Sequence, residues 1–335
     1  MRVALDSLGT DHAPTSEIEG ALRAVQDHEG TLSVVLVGDA DAIRRELAGT
    51  DPRLRSRVEI VHAPERILPA EPPAQAVRRK KDSSIVQAVR LQREGVVDAF
   101  VSGGSTGAIM AASLIHLRPL PGVDRPAICT LLPTSKRPIL LLDAGANVDC
   151  KPHHLLQFAR LGAIYARDLM EVPEARIGLL NIGEEPEKGD ELAIEAHRLL
   201  RESGLNFVGN VEGRDIIRGV CDVLICDGFV GNVLLKFYES VAEFTIGLLT
   251  SEMARVGSAM DLEEVFRVLD YAEYGGAPLL GVNGVSIVCH GRSTSKAIRN
   301  AIGLAAQAVR SGVVSHIQSE LAVSADDPSS EQEGP

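Results

Sequence analysis

Tryptophan is absent from this 335-residue chain, and aromatic residues make up only 3% of it. Base-stacking platforms are therefore excluded as a main feature, and the formal net charge of -12, from 34 basic and 46 acidic residues, disfavours nucleic acid as a partner. The five cysteines, Cys129, Cys150, Cys221, Cys226 and Cys289, contain no CxxC pair. Reduced thiols in a cytoplasm are expected, with neither a disulfide frame nor a metal site. No apolar run approaches the roughly 18 residues of a membrane span. Neither Gly-x-Gly-x-x-Gly nor a Walker A sequence occurs, so no cofactor is expected.

Short apolar runs are plentiful: Val3 to Leu5, Leu32 to Val37, Val58 to Val61, Val96 to Val101, Ile139 to Leu142, Ile177 to Leu180, Val223 to Ile225 and Val285 to Val288. Helical periodicity lies between them. The first helix is placed with Pro14 at its N1 position and Ile18, Ala21, Leu22 and Val25 on one face. This alternation predicts an α/β fold, a mostly parallel sheet with helices on both faces and function at the carboxyl ends of the strands. Residues 1–323 read as a single catalytic α/β domain, or as two subdomains sharing one sheet. Residues 324–335, rich in Asp, Glu, Ser and Pro, read as a disordered acidic tail.

The run from Val96 to Val101 feeds Ser102-Gly103-Gly104-Ser105-Thr106-Gly107, which opens directly into an apolar-periodic helix. Such a turn aims backbone N–H groups at an anion, and the helix dipole adds about half a positive charge there. A phosphate or a developing oxyanion is the expected guest. The same residues also spell Gly103-x-Ser105-x-Gly107, the nucleophile elbow of serine acyl hydrolases. Cys150 is either a second candidate nucleophile or simply a small half-buried residue.

Three further polar loops follow strands. Asn147 and Lys151 come after Leu142, and Asn181 and Gly183 after Leu180. Gly228, Gly231 and Asn232 come after Ile225 and open a helix that carries Lys236 one turn inside, where an ammonium would neutralise a phosphate. Four such loops at one sheet edge point to a shared site.

The blocks Asp6-Ser-Leu-Gly-Thr-Asp-His-Ala-Pro14, Arg78-Arg-Lys-Lys-Asp-Ser-Ser84, Ser102 to Gly107, Gly145-Ala-Asn-Val-Asp-Cys-Lys-Pro152, Asn181-Ile-Gly-Glu-Glu185, Gly209 to Asp215, Cys226-Asp-Gly-Phe-Val-Gly-Asn232 and Asp270 to Gly284 occur in order over about Met1 to Arg310. Together they resemble the PlsX phosphate acyltransferases. The resemblance implies an enzyme of bacterial phospholipid synthesis that moves a fatty acyl group from acyl carrier protein to inorganic phosphate, giving acyl-phosphate. It also implies a homodimer, a fold similar to phosphate acetyltransferases and isopropylmalate dehydrogenases, and a product that feeds a membrane glycerol-3-phosphate acyltransferase. The location implied is cytoplasmic, with peripheral attachment to the inner face of the cell membrane left open.

For that reaction the protein must hold phosphate in line with the thioester and stabilise the oxyanion. Asn232, Lys236, Asn147, Lys151, Asn181, and backbone amides at Gly103, Gly104, Ser105, Thr106, Gly107, Gly183, Gly228 and Gly231 are the candidates. The leaving thiolate, with a pKa of about 8.5, departs easily, so a general acid at His12 or His290 would help only modestly. Arg78, Arg79, Lys80 and Lys81, the densest basic run, are candidates for docking the acidic carrier, and a non-catalytic carrier-binding scaffold would use the same run.

Two departures from the family pattern bear on the site. Thr10 stands where a second glycine is usual, which would strain a turn needing positive φ, and Ser105 stands where Asn is common. The segment Thr250 to Tyr271 is short, with only Arg255 and Arg267 as basic residues, so electrostatic attachment to anionic lipid gains little from it.

Overall fold

Strand residues of opposite parity are apolar on opposite sides: Val3 and Leu5 enter one buried cluster and Ala4 another, as do Leu140 and Leu142 against Ile139 and Leu141. Strands apolar on both faces need helices on both faces. The computed structural model describes residues 1–28, 30–256 and 273–325. The strands are β1 (Arg2–Asp6), β2 (Ser33–Gly38), β3 (Val58–His62), β4 (Ala99–Ser102), β5 (Ala127–Leu132), β6 (Ile139–Leu142), β7 (Ile177–Asn181), β8 (Phe207–Glu212), β9 (Val223–Ile225), β10 (Ala277–Leu280) and β11 (Val285–Val288). They form one 11-stranded sheet in the order β3-β2-β1-β4-β11-β10-β5-β6-β9-β7-β8.

The helices are α1 (Thr15–Asp27), α2 (Ala40–Glu46), α3 (Pro52–Arg55), α4 (Pro73–Arg79), α5 (Ser84–Arg93), α6 (Thr106–His116), α7 (Pro152–Leu169), α8 (Glu191–Glu202), α9 (Gly228–Val256), α10 (Ser295–Ser311) and α11 (Val313–Ala325). One face of the sheet is covered by α1, α7, α8, α10 and α11, through residues such as Ile18, Phe158, Leu200, Ile302 and Ile317. The other carries α4, α5, α6 and the inner edge of α9, through Val77, Val89, Ile109 and Leu235.

The sheet departs from uniform parallel order at its centre. Strand β10 runs antiparallel to β11 through Ala277↔Val288, then antiparallel to β5 through Leu279↔Ile128. Strand β5 in turn runs antiparallel to β6 through Cys129↔Leu142. Three reversals leave β1, β4 and β11 pointing one way and β6, β9, β7 and β8 the other. Counting register along this staircase, the last residues of β11 and β6, Val288 and Leu142, differ by one level, about 3.4 Å. The carboxyl ends of two opposed half-sheets therefore meet in the middle. The polar loops do not share one edge, as expected from the sequence; they approach a central cleft from two directions.

Some boundaries also shift. Pro14 is the N-cap of α1 rather than its first residue. Helix α9 begins at Gly228, so Lys236 lies about two turns inside it. Strands β5, β8 and β10 are additions to the expected set. Helix α11 continues to Ala325, and the remainder of the expected tail lies outside the described residues, as does 257–271 of the short segment.

Candidate active site

Each half-sheet organises its turn around a buried carboxylate. Asp6, the last residue of β1, accepts from the Ser102 hydroxyl at 2.6 Å and from the Leu8 amide at 3.0 Å. Ser102 in turn accepts from the amide of Gly104 at 3.0 Å. Asp143, just after β6, accepts from the amides of Ile128 and Asn147 at 3.1 and 2.6 Å and from the Asn147 side chain at 2.9 Å. Burial pushes both carboxyls up from their ordinary values.

The Gly104 amide is thus taken by Ser102, while Thr106, Gly107 and Ala108 open α6 with amides that have no acceptor within the helix. Helix α4 sits on that first turn, because a Cβ on Gly107 would lie 2.7 Å from Pro73. Thr10 has no positive φ and its amide donates to Glu17 at 2.9 Å, so threonine fits this turn without backbone strain. A Cβ on Gly103 would lie 2.7 Å from the Thr10 methyl. The buried Glu17 carboxyl is pushed up by burial and, to a smaller degree, by Asp6.

Helix α9 leaves the other half-sheet with its N-terminus already occupied. The Asp227 carboxylate accepts from the amides of Phe229 and Val230 at 2.8 and 3.0 Å, and the Gly228 amide donates to Asn147. A Cβ on Gly231 would lie 1.9 Å from the Asp143 carbonyl oxygen, and one on Gly228 would lie 2.7 Å from the Asn147 backbone. These glycines let α9 lie against the β6 loop.

Between the two halves lies a cavity of about 510 Å³. Gly104 and Thr106 reach it from one side, and Asn232 and Lys236 from α9. His290, just beyond β11, closes the polar end. Its Nε2 lies 3.2 Å from the Lys236 ammonium, which also pairs with Glu239 at 2.8 Å. Burial and the Lys236 charge hold the His290 pKa below its ordinary value, which favours the uncharged ring, and its Nδ1 accepts from the Arg292 amide at 3.3 Å. The rest of the lining is largely apolar, including Leu132, Ala242 and Ile246.

The cavity thus gathers Gly104, Thr106, Asn232, Lys236 and His290 from the sequence candidates. His12 is exposed outside it, but the Asp11 amide next to it donates to Gly291 at 2.8 Å, which ties that loop to the one bearing His290. Gly103, Ser105, Gly107, Gly228 and Gly231 stand behind the lining, and Asn147 is buried as a brace between Asp143 and Pro126. Lys151 is exposed at the N-cap of α7, and Asn181 bonds within its own loop, to Lys188 and Ile182, with Gly183 beside it. Sequence reasoning passed over Tyr238, Glu239 and Tyr274, which also line the cavity; the Lys236 and Glu239 spacing of one helical turn was the available signal.

The thiol and hydroxyl candidates are poor nucleophiles here. Burial and the neighbouring Asp143 push the Cys150 thiol up to about 11, which leaves it protonated at neutral pH. Among the described residues no imidazole bonds the Ser105 hydroxyl, as an acyl hydrolase would require. Among the described residues one group, Asp124, His153 and His154, converges closely enough to hold a metal. His154 Nδ1, however, accepts from the Lys151 amide at 3.0 Å, which places the proton of a neutral ring on the nitrogen a cation would need.

Comparison with known proteins decides the family. A family model described as "Fatty acid synthesis protein" matches residues 1–316. A phosphate acyltransferase of Desulforamulus reducens is 50% identical over 328 residues, covering 96% of this chain and 97% of that protein. The chain belongs to this family, the PlsX family of phosphate acyltransferases. A second family member, from Heliobacterium modesticaldum, is 51% identical over 329 residues, with 96% and 98% covered. Among solved structures, a phosphotransacetylase from Streptococcus pyogenes superposes with a TM-score of 0.61 at 19% identity, over 92% of this chain and 94% of that one. The EutD phosphotransacetylase of Staphylococcus aureus gives 0.59 at 16% identity, with the same coverage. At such identity they share the family's fold, and the fold alone.

Proposed function

We propose that the chain transfers a fatty acyl group from the thioester of acyl carrier protein to inorganic phosphate. A phosphate oxygen attacks the thioester carbonyl carbon, the carbon–sulfur bond breaks, the carrier leaves as a thiolate that takes up a proton, and acyl-phosphate remains. The observation that carries this reading is the polar end of the cavity, where the Lys236 ammonium, an uncharged His290 and the open first turn of α6 face an apolar interior. It is a place for an anion next to a place for a hydrocarbon. Lys236 pairs with the incoming phosphate, and the α6 amides stabilise charge on oxygen as the tetrahedral intermediate forms.

Arg78, Arg79 and Lys81 are exposed at the end of α4, whose first residue, Pro73, packs on the first turn of α6, and they suit an acidic carrier delivering its thioester to that side. Lys80 has a structural role as well, because its ammonium bonds Glu71 at 2.6 Å and the Arg66 carbonyl at 2.8 Å. A homodimer fits the outer edge of α9, where Phe229, Phe237 and Phe244 are 64%, 68% and 71% exposed. Among the described residues no helix is long and apolar enough to cross a membrane. The product then has to reach the membrane glycerol-3-phosphate acyltransferase by diffusion or by peripheral contact.

Incubation of purified protein with acyl-carrier-protein thioester, following free carrier thiol with and without phosphate, tests the reading. Thiol release that depends on phosphate and yields acyl-phosphate supports it. Release that ignores phosphate, or no release, overturns it.

A further inference from the structure

The apolar part of the cavity has a direction. Its roof is one edge of α9, where Leu235, Ala242 and Ile246 repeat at helical spacing. Its floor includes alternate residues of β5, Ile128, Thr130 and Leu132, which share one face of that strand. On the β5 side the Tyr238 hydroxyl donates to the Pro133 carbonyl at 3.1 Å and closes the gap between roof and floor. On the β11 side the acidic groups are already paired, Glu239 with Lys236 and Glu243 with Arg292 at 3.4 Å. What is left is an uncharged groove that starts beside Lys236 and His290 and runs beneath α9. From Lys236 to Ile246 it follows ten residues of helix, about 15 Å.

Ala242 is the smallest of the α9 side chains on the roof. It lies about 9 Å along the helix from Lys236. It is buried, whereas Leu235, Tyr238 and Ile246 around it are larger and only half-buried. A bulky side chain there would fill the groove and leave only its first part open.

Resting on the acyl transfer proposed above, we propose that the hydrocarbon chain of the donor lies extended in this groove, and that the side chain at position 242 sets the chain length accepted. A straight saturated chain suits it because the middle of the groove presents no unpaired charge, and its open end beside Lys236 leaves the thioester carbonyl at the anion site.

Two measurements test this, one independent of turnover. Because the chain has no tryptophan, Ile246→Trp creates a single indole fluorophore at the far end of the groove. Its emission should shift to the blue on adding hexadecanoyl thioester and stay unchanged with hexanoyl thioester; equal responses, or none to either, overturn the proposal. In turnover, Ala242→Phe should lower kcat/KM for hexadecanoyl carrier at least tenfold and for hexanoyl carrier less than threefold, with the phosphate KM unmoved. Loss by the same factor for both donors overturns the groove while leaving acyl transfer intact. A blue shift of the Ile246→Trp reporter with hexadecanoyl thioester, alongside wild-type protein that releases no thiol, would overturn the reaction and keep the groove. Should Ala242→Phe fail to fold, Ala242→Val serves, with a fall of at least threefold expected for the long donor alone.

Discussion

The hydroxyl of Ser102 donates to Asp6 at 2.6 Å and accepts from the amide of Gly104, so a carboxylate 96 residues away in sequence holds the shape of the glycine turn. Neither side chain lines the cavity. Both act through the turn they shape.

Ser102→Ala should therefore cost about 1–3 kcal/mol of unfolding free energy, since it orphans the half-buried Gly104 donor and removes the partner of a buried carboxylate. Turnover should fall as well, because the amides of Thr106 and Gly107 lose their fixed aim. Urea unfolding and steady-state kinetics measure the two effects, and a fully active variant would show that the turn keeps its shape without the relay.

Lys236→Ala should weaken phosphate more than acyl donor. A charge-assisted contact contributes roughly 1.5–3 kcal/mol, so the phosphate KM should rise at least tenfold while the donor KM moves little. An unchanged phosphate KM would remove Lys236 from the anion site.

Carrier docking is tested best at Arg78 and Lys81, which are exposed and form no ion pair among the described residues, rather than at Lys80, whose reversal would set two carboxylates against each other at Glu71. Arg78→Glu with Lys81→Glu should slow association with acyl carrier protein, and the wild-type rate should fall with salt, since screening acts over about 8 Å at physiological ionic strength. Stopped-flow rates indifferent to both changes would send the carrier elsewhere.

His290 gives a pH signature with a definite sign. Its folded pKa lies below the ordinary value of 6.5, because burial and Lys236 oppose the imidazolium. The folded state therefore binds this proton more weakly than the unfolded chain, and its contribution is fully present above about pH 6.5 and lost as pH falls from there through the lower folded value. His290→Gln keeps a polar group beside Lys236 but cannot titrate, so wild type minus variant stability should shrink between pH 7.5 and pH 5. A constant difference across that range, measured by urea unfolding, would mean that the ring keeps an ordinary pKa.

Strands such as β1, β2, β6 and β9 were legible because their apolar runs are local. Strand β5 was not: Ala127 to Leu132 sits between Pro126 and Pro133 without alternation, and it is defined by partners at Leu279 and Leu142 that only the fold brings near. Strand β10, short and containing Pro278, was hidden for the same reason, and with it the reversal at the centre of the sheet. The four glycine-bearing loops look alike in sequence. Gly228 and Gly231 have the same local chemistry as Gly104, but their neighbours, Asp143 and Asn147, use the missing side chain for close packing instead. The pairing of Lys236 with His290 spans 54 residues and no local pattern announces it.

The staircase through β10 has a consequence for how such an enzyme can be altered. The glycine turn proposed to receive the anion is built by β1 and β4, while the floor of the cavity is built by β5, beyond the point where strand direction reverses. Helix α9 serves both, with Lys236 on one edge and Ala242 on another. On the proposed reading, a substitution at Ala242 would change which fatty chain is accepted while leaving the glycine turn between β4 and α6 as it is.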